Sequence, residues 1–231
     1  MKYIFAMTCS AVMLLTGCQN DVLKPPQSIK SIVEQQQNLP YLMGKTYQER
    51  VPTRLSARSQ MLKNLEFSVI GENHQSVVFV EGSFAAGDAR RFAEWFSKLP
   101  EPQPTIVLLD SPGGILIEGM LLGQMFRKVG LATGVGPGQA CYSACSISFL
   151  GGVRRFVSTE GQYGVHWASG IRDNDPRKTH SINLVILEAL QQYSATMTGS
   201  TKYVEAMASA YSSDMRILSN KELQDFNIIT Y

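Results

Sequence analysis

One short stretch combines the residue types that acyl-transfer chemistry requires. It runs from Gly138 to Cys145, reads GQACYSAC and has Ser143 near its centre. A serine hydroxyl is a weak nucleophile unless an imidazole lies within hydrogen-bond reach and backbone N–H groups stabilise the developing oxyanion. A Val-His pair ending in His166 follows, and the sequence DSPGG, Asp110 to Gly114, precedes. Together these segments suggest a serine nucleophile, its base and an oxyanion hole.

Ser143 is predicted to lie where a strand is followed by a helix. The apolar stretch Leu131 to Val135 is typical of a strand, Gly136 to Gly138 of a turn, and Ser143 to Leu150 of a short helix. The N–H groups in the first turn of a helix have no partner within that helix and can bind an anion. The N–H of Ala144 is therefore a candidate oxyanion donor.

The DSPGG motif offers the second donor. It ends the apolar run Thr105 to Leu109 and begins the amphipathic stretch Ile115 to Lys128. Because glycine has no side chain, the backbone there can approach a substrate closely. The N–H of Gly113 or of Gly114 is the candidate.

Strands alternate with helices along the rest of the chain. Val77 to Val80 is a short β-branched run, Asp88 to Leu99 is predicted to be a helix that Pro100 stops, and Ser181 to Thr198 is a long helix capped by Gly199. This alternation predicts an α/β protein built from βα units with parallel strand pairing.

The order of these motifs resembles the ClpP-type serine peptidases of the ClpP/crotonase superfamily. That order is strand, DSPGG, helix, strand, GQA-x-x-S, helix, then Arg-Phe and a histidine ten positions after Phe156. The resemblance extends from about Val77 to the C terminus. It implies a single α/β domain folded as a ClpP/crotonase-like spiral of ββα units. Ser143 would be the nucleophile and His166 the base.

The third member of a triad is less well matched. The family carries its aspartate just before a Leu-Ser pair, and Asp214 matches that position approximately. Asp214 stands five residues before Ser219, whereas the family pattern would place the acid at Met215. The nucleophile motif also has one residue more than the usual GQAAS, and cysteines flank its serine. In this it resembles a periplasmic or secreted subgroup more than the cytosolic protease.

The N terminus resembles a bacterial lipoprotein signal. Lys2 is followed by an apolar segment, Tyr3 to Leu15, which is too short to span a bilayer as a stable helix. Leu-Thr-Gly-Cys then resembles a lipobox, which makes Cys18 the expected lipidation site and the first mature residue. Several acyl chains would give a stable membrane anchor. Gln19, rather than aspartate, follows, and this favours the outer membrane facing the periplasm. The alternative is an ordinary secretory signal with a chance cysteine.

These features predict three segments. Residues 1–17 form the signal peptide, residues 18–55 a polar tether rich in glutamine and proline, and residues 56–231 the ClpP/crotonase-like domain. Cys9 leaves with the signal, so Cys141 and Cys145 remain as a pair in an oxidising compartment. They are a possible disulfide. A cysteine nucleophile or a metal bound by the pair are the alternatives.

Charge and composition limit the partners. The formal net charge is +2, with no basic stripe, so nucleic acid is not expected as a partner. Neither a metal nor a nucleotide cofactor is expected. The cytosolic relative works with an ATP-driven unfoldase, and the periplasm has no ATP. The expected substrates are therefore short peptides or already unfolded proteins. Ser181 to Thr198 occupies the position of the family's ring-stacking handle, which suggests a homo-oligomer.

Three other functions fit parts of this pattern. A crotonase-like enzyme acting on acyl-CoA would share the oxyanion arrangement. A lipid-anchored scaffold would keep the fold without catalysis. A signal-peptide-peptidase-like Ser-Lys dyad would use a lysine such as Lys98 or Lys178 as its base. His74 and His180 are the other two histidines, in a predicted turn and a polar loop.

Overall fold

A computed structural model describes residues 64–71, 76–168, 176–210 and 214–230. The predicted signal peptide, the lipidation site Cys18, the polar tether and His74 lie outside these ranges. Within the described residues no helix combines the length and the apolar character needed to cross a membrane.

Eight strands form two sheets in the described part of the chain. In chain order they are β1 (Glu66–Ile70), β2 (Val77–Glu81), β3 (Ile106–Asp110), β4 (Ala132–Val135), β5 (Ala140–Tyr142), β6 (Arg155–Val157), β7 (Gln162–Val165) and β8 (Arg216–Ile217). The larger sheet has the order β1-β2-β3-β4-β6, and the smaller has the order β5-β7-β8. Neighbouring strands are parallel except for the antiparallel pairs β1/β2 and β7/β8.

Six helices are described between and after the strands. They are α1 (Asp88–Phe96), α2 (Leu116–Lys128), α3 (Ala144–Phe149), α4 (Pro176–Thr198), α5 (Lys202–Ala208) and α6 (Asn220–Asp225). The apolar run of β3 is buried almost throughout, as expected of a parallel strand covered on both faces. On α1 the buried side chains include Phe92 and Phe96, whereas Arg90 and Glu94 face solvent.

The chain repeats a ββα unit. In β4-β5-α3 and again in β6-β7-α4, the first strand joins the larger sheet, the second joins the smaller sheet, and a helix follows. The predicted fold class, an α/β spiral of ββα units in a single domain, is confirmed. Because β5 and β7 are parallel, their carboxyl ends lie at the same end of the smaller sheet.

Several predicted boundaries change. The helix predicted over Ser181 to Thr198 begins earlier, at Pro176, and the helix predicted over Asp88 to Leu99 ends at Phe96. The strand β1 and the strands of two to four residues in the smaller sheet were not predicted from the sequence. Such short strands carry no usable alternation of apolar and polar residues.

The buried Arg155 joins the C-terminal segment to the larger sheet, and the half-buried Arg127 shares one of its acceptors. Arg155 donates to the carbonyl oxygens of Ile228 at 2.7 Å, Asn227 at 3.0 Å and Gly152 at 3.0 Å. Arg127 also donates to Gly152 O, at 3.1 Å. Burial, and to a smaller extent the positive charge of Arg127, lower the pKa of Arg155 to about 10. Arg155 remains a cation and satisfies several buried carbonyl groups at once.

We expect Arg155→Met to lower the free energy of unfolding by about 3 kcal/mol, because buried carbonyl groups lose their donors. The matched control is Arg90→Met, which removes an ion pair to Glu94 from a side chain that is 81% exposed. That change should cost at most about 0.5 kcal/mol. Urea denaturation measures both, and equal losses would contradict the structural role of Arg155.

Candidate active site

Ser143 lies in an unusual backbone conformation between β5 and α3. Its φ is 56° and its ψ is −121°. These angles match the second residue of a type II′ turn, near +60° and about −120°, which normally requires glycine. A non-glycine residue held there costs about 1–3 kcal/mol, and such positions cluster at active sites. In α/β-hydrolases a strained strand-to-helix turn similarly exposes the nucleophilic serine.

Hydrogen bonds hold this turn on both sides. The Ser143 N–H donates to the carbonyl oxygen of Gly164 at 3.1 Å. The Ser143 carbonyl oxygen accepts from the N–H of Ile147 at 3.2 Å and from Oγ of Ser146 at 2.7 Å. Ser143 itself is half-buried, so its side chain remains accessible from solvent. The turn is therefore fixed to β7 at one end and to α3 at the other.

The predicted cysteine pair spans the same turn. Cys141 in β5 and Cys145 in α3 form a disulfide, with their Cα atoms 5.2 Å apart. Both residues are fully buried. A disulfide leaves neither sulfur as a thiolate, so in this state neither can act as the nucleophile or as a metal ligand.

The DSPGG segment pairs directly with β5. The N–H of Ser111 donates to Ala140 O at 2.7 Å, and the N–H of Tyr142 donates to Ser111 O at 3.0 Å. The N–H of Ala140 also donates to Oδ1 of Asp110 at 3.0 Å. These bonds fix the position of the glycines relative to the nucleophile turn.

Gly113 contacts the nucleophile turn. A methyl group added at Gly113 would lie 2.6 Å from Cβ of Ser143 and 2.9 Å from the nitrogen of Ala144. The φ of Gly113 is 99°, which also favours glycine. The predicted oxyanion loop and the predicted nucleophile are therefore in direct contact.

The hydrogen bonds distinguish the two glycine donors. The N–H of Gly113 already donates to Oγ of Ser111 at 3.0 Å. Among the described residues no hydrogen bond occupies the N–H of Gly114 or that of Ala144. Gly114 is exposed, whereas Gly113 is buried. Of the predicted oxyanion donors, the N–H groups of Gly114 and Ala144 are therefore the ones left available.

His166 follows β7, beside the nucleophile turn. Tyr142 of β5 pairs with Gly164 of β7. Ser143 and His166 therefore directly follow the carboxyl ends of two neighbouring parallel strands. Neighbouring strands lie about 4.8 Å apart. The ring nitrogen Nδ1 of His166 lies 2.7 Å from the carbonyl oxygen of Trp167. Because a carbonyl oxygen can only accept, Nδ1 carries the proton, and in neutral imidazole Nε2 is then an acceptor, as a general base requires.

The predicted acid does not join this group. Asp214 is exposed, and no hydrogen bond or ion pair connects it to another residue in the described part of the chain. In the β7/β8 register Val165 pairs with Arg216, so the next position places Met215 opposite His166. The sulfur of Met215 would lie 2.8 Å from a methyl group added at Gly164. A thioether therefore occupies the position where the family pattern places its acid.

The lysines of the alternative dyad lie elsewhere. Lys98 lines a groove between β1 and α1 together with Phe67 and Trp95. Lys178 is exposed in the first turns of α4. Neither forms a hydrogen bond with Ser143 in the described part of the chain. The described residues also contain no cluster of three or more His, Cys, Asp or Glu side chains that could bind a metal.

Two groups of this site were not identified from the sequence. One is Ser111 of DSPGG, whose hydroxyl accepts a hydrogen bond from the N–H of Gly113. The other is the carbonyl group of Trp167. It could not be identified from the sequence, because every residue has a carbonyl group and only the folded backbone places this one beside the imidazole of His166.

Comparisons with known proteins give a likeness in structure. No protein-family model and no curated protein sequence matches the chain. Among solved structures, the chain is similar to a serine-to-alanine mutant of the 1510-N membrane-bound stomatin-specific protease. The identity is 16%, the match covers 66% of this chain and 75% of that chain, and the TM-score is 0.46.

The contact at Gly113 can be tested with a serine-directed fluorophosphonate. Gly113→Ala should slow labelling of Ser143 by about 100-fold or more, because a displacement of about 1 Å at a reacting group has that effect. Gly138→Ala is the matched control: Gly138 has a φ of 74°, and an added methyl would have nothing within 4 Å. It should cost about 1–2 kcal/mol of stability and leave the labelling rate unchanged. Equal labelling of the two variants would contradict the proposed contact.

Proposed function

We propose that this chain is an ATP-independent serine peptidase that hydrolyses peptides or unfolded proteins in the periplasm through an acyl-enzyme. The observation that carries the proposal is the conformation of Ser143, a residue with positive φ in contact with the DSPGG loop. A costly backbone conformation at a partly exposed serine is hard to explain by packing alone.

The first step is attack by Ser143 on the scissile carbonyl. Nε2 of His166 accepts the hydroxyl proton as the new C–O bond forms. The Trp167 carbonyl keeps the proton on Nδ1 and stabilises the imidazolium that results. The N–H groups of Gly114 and Ala144 donate to the oxyanion of the tetrahedral intermediate.

The second half of the reaction releases the product. His166 returns its proton to the leaving amine, which leaves the acyl group on Ser143. Water, deprotonated by the same imidazole, then attacks the ester and frees the carboxylic acid. A carbonyl oxygen carries only a partial negative charge and stabilises imidazolium less than a carboxylate does. We therefore expect slower turnover than in an enzyme with a complete triad.

One observation favours a second candidate, a catalytically inactive scaffold. Met215 stands where the family pattern places the acid, and Asp214 is exposed. A protein that has lost catalysis would lose this group without penalty. The buried Ser111 and the strained Ser143 argue for the peptidase, since a scaffold has no use for either. The Ser-Lys and acyl-CoA alternatives have no such support.

The proposed mechanism predicts that the losses of activity in the Ser143 and His166 variants are not additive. Ser143→Ala and His166→Ala should each lower kcat on an unfolded protein substrate by about 10³-fold or more, and the double variant should lose little more. Asp214→Asn should change the rate little, because Asp214 is exposed. A Ser143→Ala protein with the wild-type rate would overturn the mechanism.

The cell-envelope location is also a proposal, and Cys18 tests it. Cys18→Ser should leave an unprocessed precursor without lipid, because no other residue supplies the acylation site. Metabolic labelling with a fatty acid measures this. Cys9→Ser is the matched control and should be labelled normally, because Cys9 leaves with the signal. Persistent label on the Cys18 variant would contradict the lipoprotein hypothesis.

Self-association is proposed through α4. Leu184 and Val185 are 51% and 67% exposed and adjacent on this helix, so they form an apolar surface that a second copy could cover. Val185→Glu should lower the mass found by light scattering on the delipidated protein. Gln224→Glu adds the same charge to an exposed position on α6, away from α4, and should leave the mass unchanged. A wild-type protein that is monomeric at every concentration would exclude this interface.

A further inference from the structure

We propose that the disulfide between Cys141 and Cys145 positions the catalytic turn, so that both cysteines are positioning residues for the reaction at Ser143. The proposal rests on the peptidase function proposed above. It concerns the closed loop of residues 141–145, which contains the nucleophile and also Ala144, an oxyanion donor. One covalent bond therefore encloses two groups whose relative placement the chemistry requires.

The loop is held in a conformation that it would otherwise tend to leave. Ser143 has a φ of 56°, and such a residue persists only where its surroundings over-determine it. The hydrogen bonds to Gly164 and from Ile147 restrain its N–H and its carbonyl. The disulfide adds a restraint of another kind, because it fixes the separation of β5 from the first turn of α3.

Global stability is a weaker explanation for this bond. The stabilisation that a disulfide gives through chain entropy grows with the length of the closed loop, and a sequence separation of four is near the lower limit. A redox switch is also a weaker explanation. Both cysteines have no exposed surface, so a thiol reductant cannot reach their sulfurs without local opening. Local positioning is the role that remains.

The test is the double variant Cys141→Ala/Cys145→Ala in the full chain. Circular dichroism establishes that it is folded. Its labelling rate with a fluorophosphonate and its kcat should fall by about 10- to 100-fold, with KM nearly unchanged, because a misplaced nucleophile affects the transition state more than binding. Phe96→Ala on α1 is the control. It removes a buried side chain outside the loop and should label at the wild-type rate while folded.

A second measurement serves if the double variant does not fold. Wild-type protein is incubated with dithiothreitol, which reduces the disulfide to two thiols and is itself oxidised to a cyclic disulfide. Labelling by the fluorophosphonate should fall in proportion to the reduced fraction, measured by alkylation and mass. Equal labelling of reduced and oxidised protein would overturn the positioning role. A wild-type protein that never labels would instead refute the peptidase function.

Discussion

The backbone of Ser143 is held at a positive φ that an L-amino acid adopts only at a cost, and the rest of the site is arranged around this constraint. The DSPGG loop pairs with β5 on one side of the turn, and β7 pairs with β5 on the other. The backbone of Gly113 lies against Ser143, so only a residue without a side chain fits at this position. A larger residue there would displace the turn or the loop.

The smaller sheet connects the nucleophile turn to His166, the proposed base. His166 follows β7, and β8 pairs antiparallel to β7 on its far side. The start of α6 in turn fixes β8, because Glu222 caps that helix through Ser219 and forms an ion pair with Arg216. The hydrogen bonds from Ser219, and then the one from Arg216, lower the pKa of Glu222 to about 2. The carboxylate thus stays charged, and the segment opposite His166 stays attached, until the medium is strongly acidic.

Much of the fold could be predicted from the sequence, because its main elements have clear patterns. The buried strand β3, the helix α2 and the glycine-containing turn before β5 were all predictable from composition and spacing. The smaller sheet did not, since strands of two to four residues show no period. The one-residue offset at Asp214 was a sequence signal, and it is explained by Met215 lying opposite His166. The Trp167 carbonyl could not be predicted, because backbone geometry alone places it.

We propose that Ser143 is an activated nucleophile without a carboxylate partner. The most direct measurement is mass spectrometry of the oxidised domain after reaction with a fluorophosphonate, followed by peptide mapping. The account predicts a single adduct, located on Ser143, which forms in the wild-type protein and in Asp214→Asn but not in His166→Ala. An adduct on another residue, or no adduct on the folded wild-type protein, would contradict it.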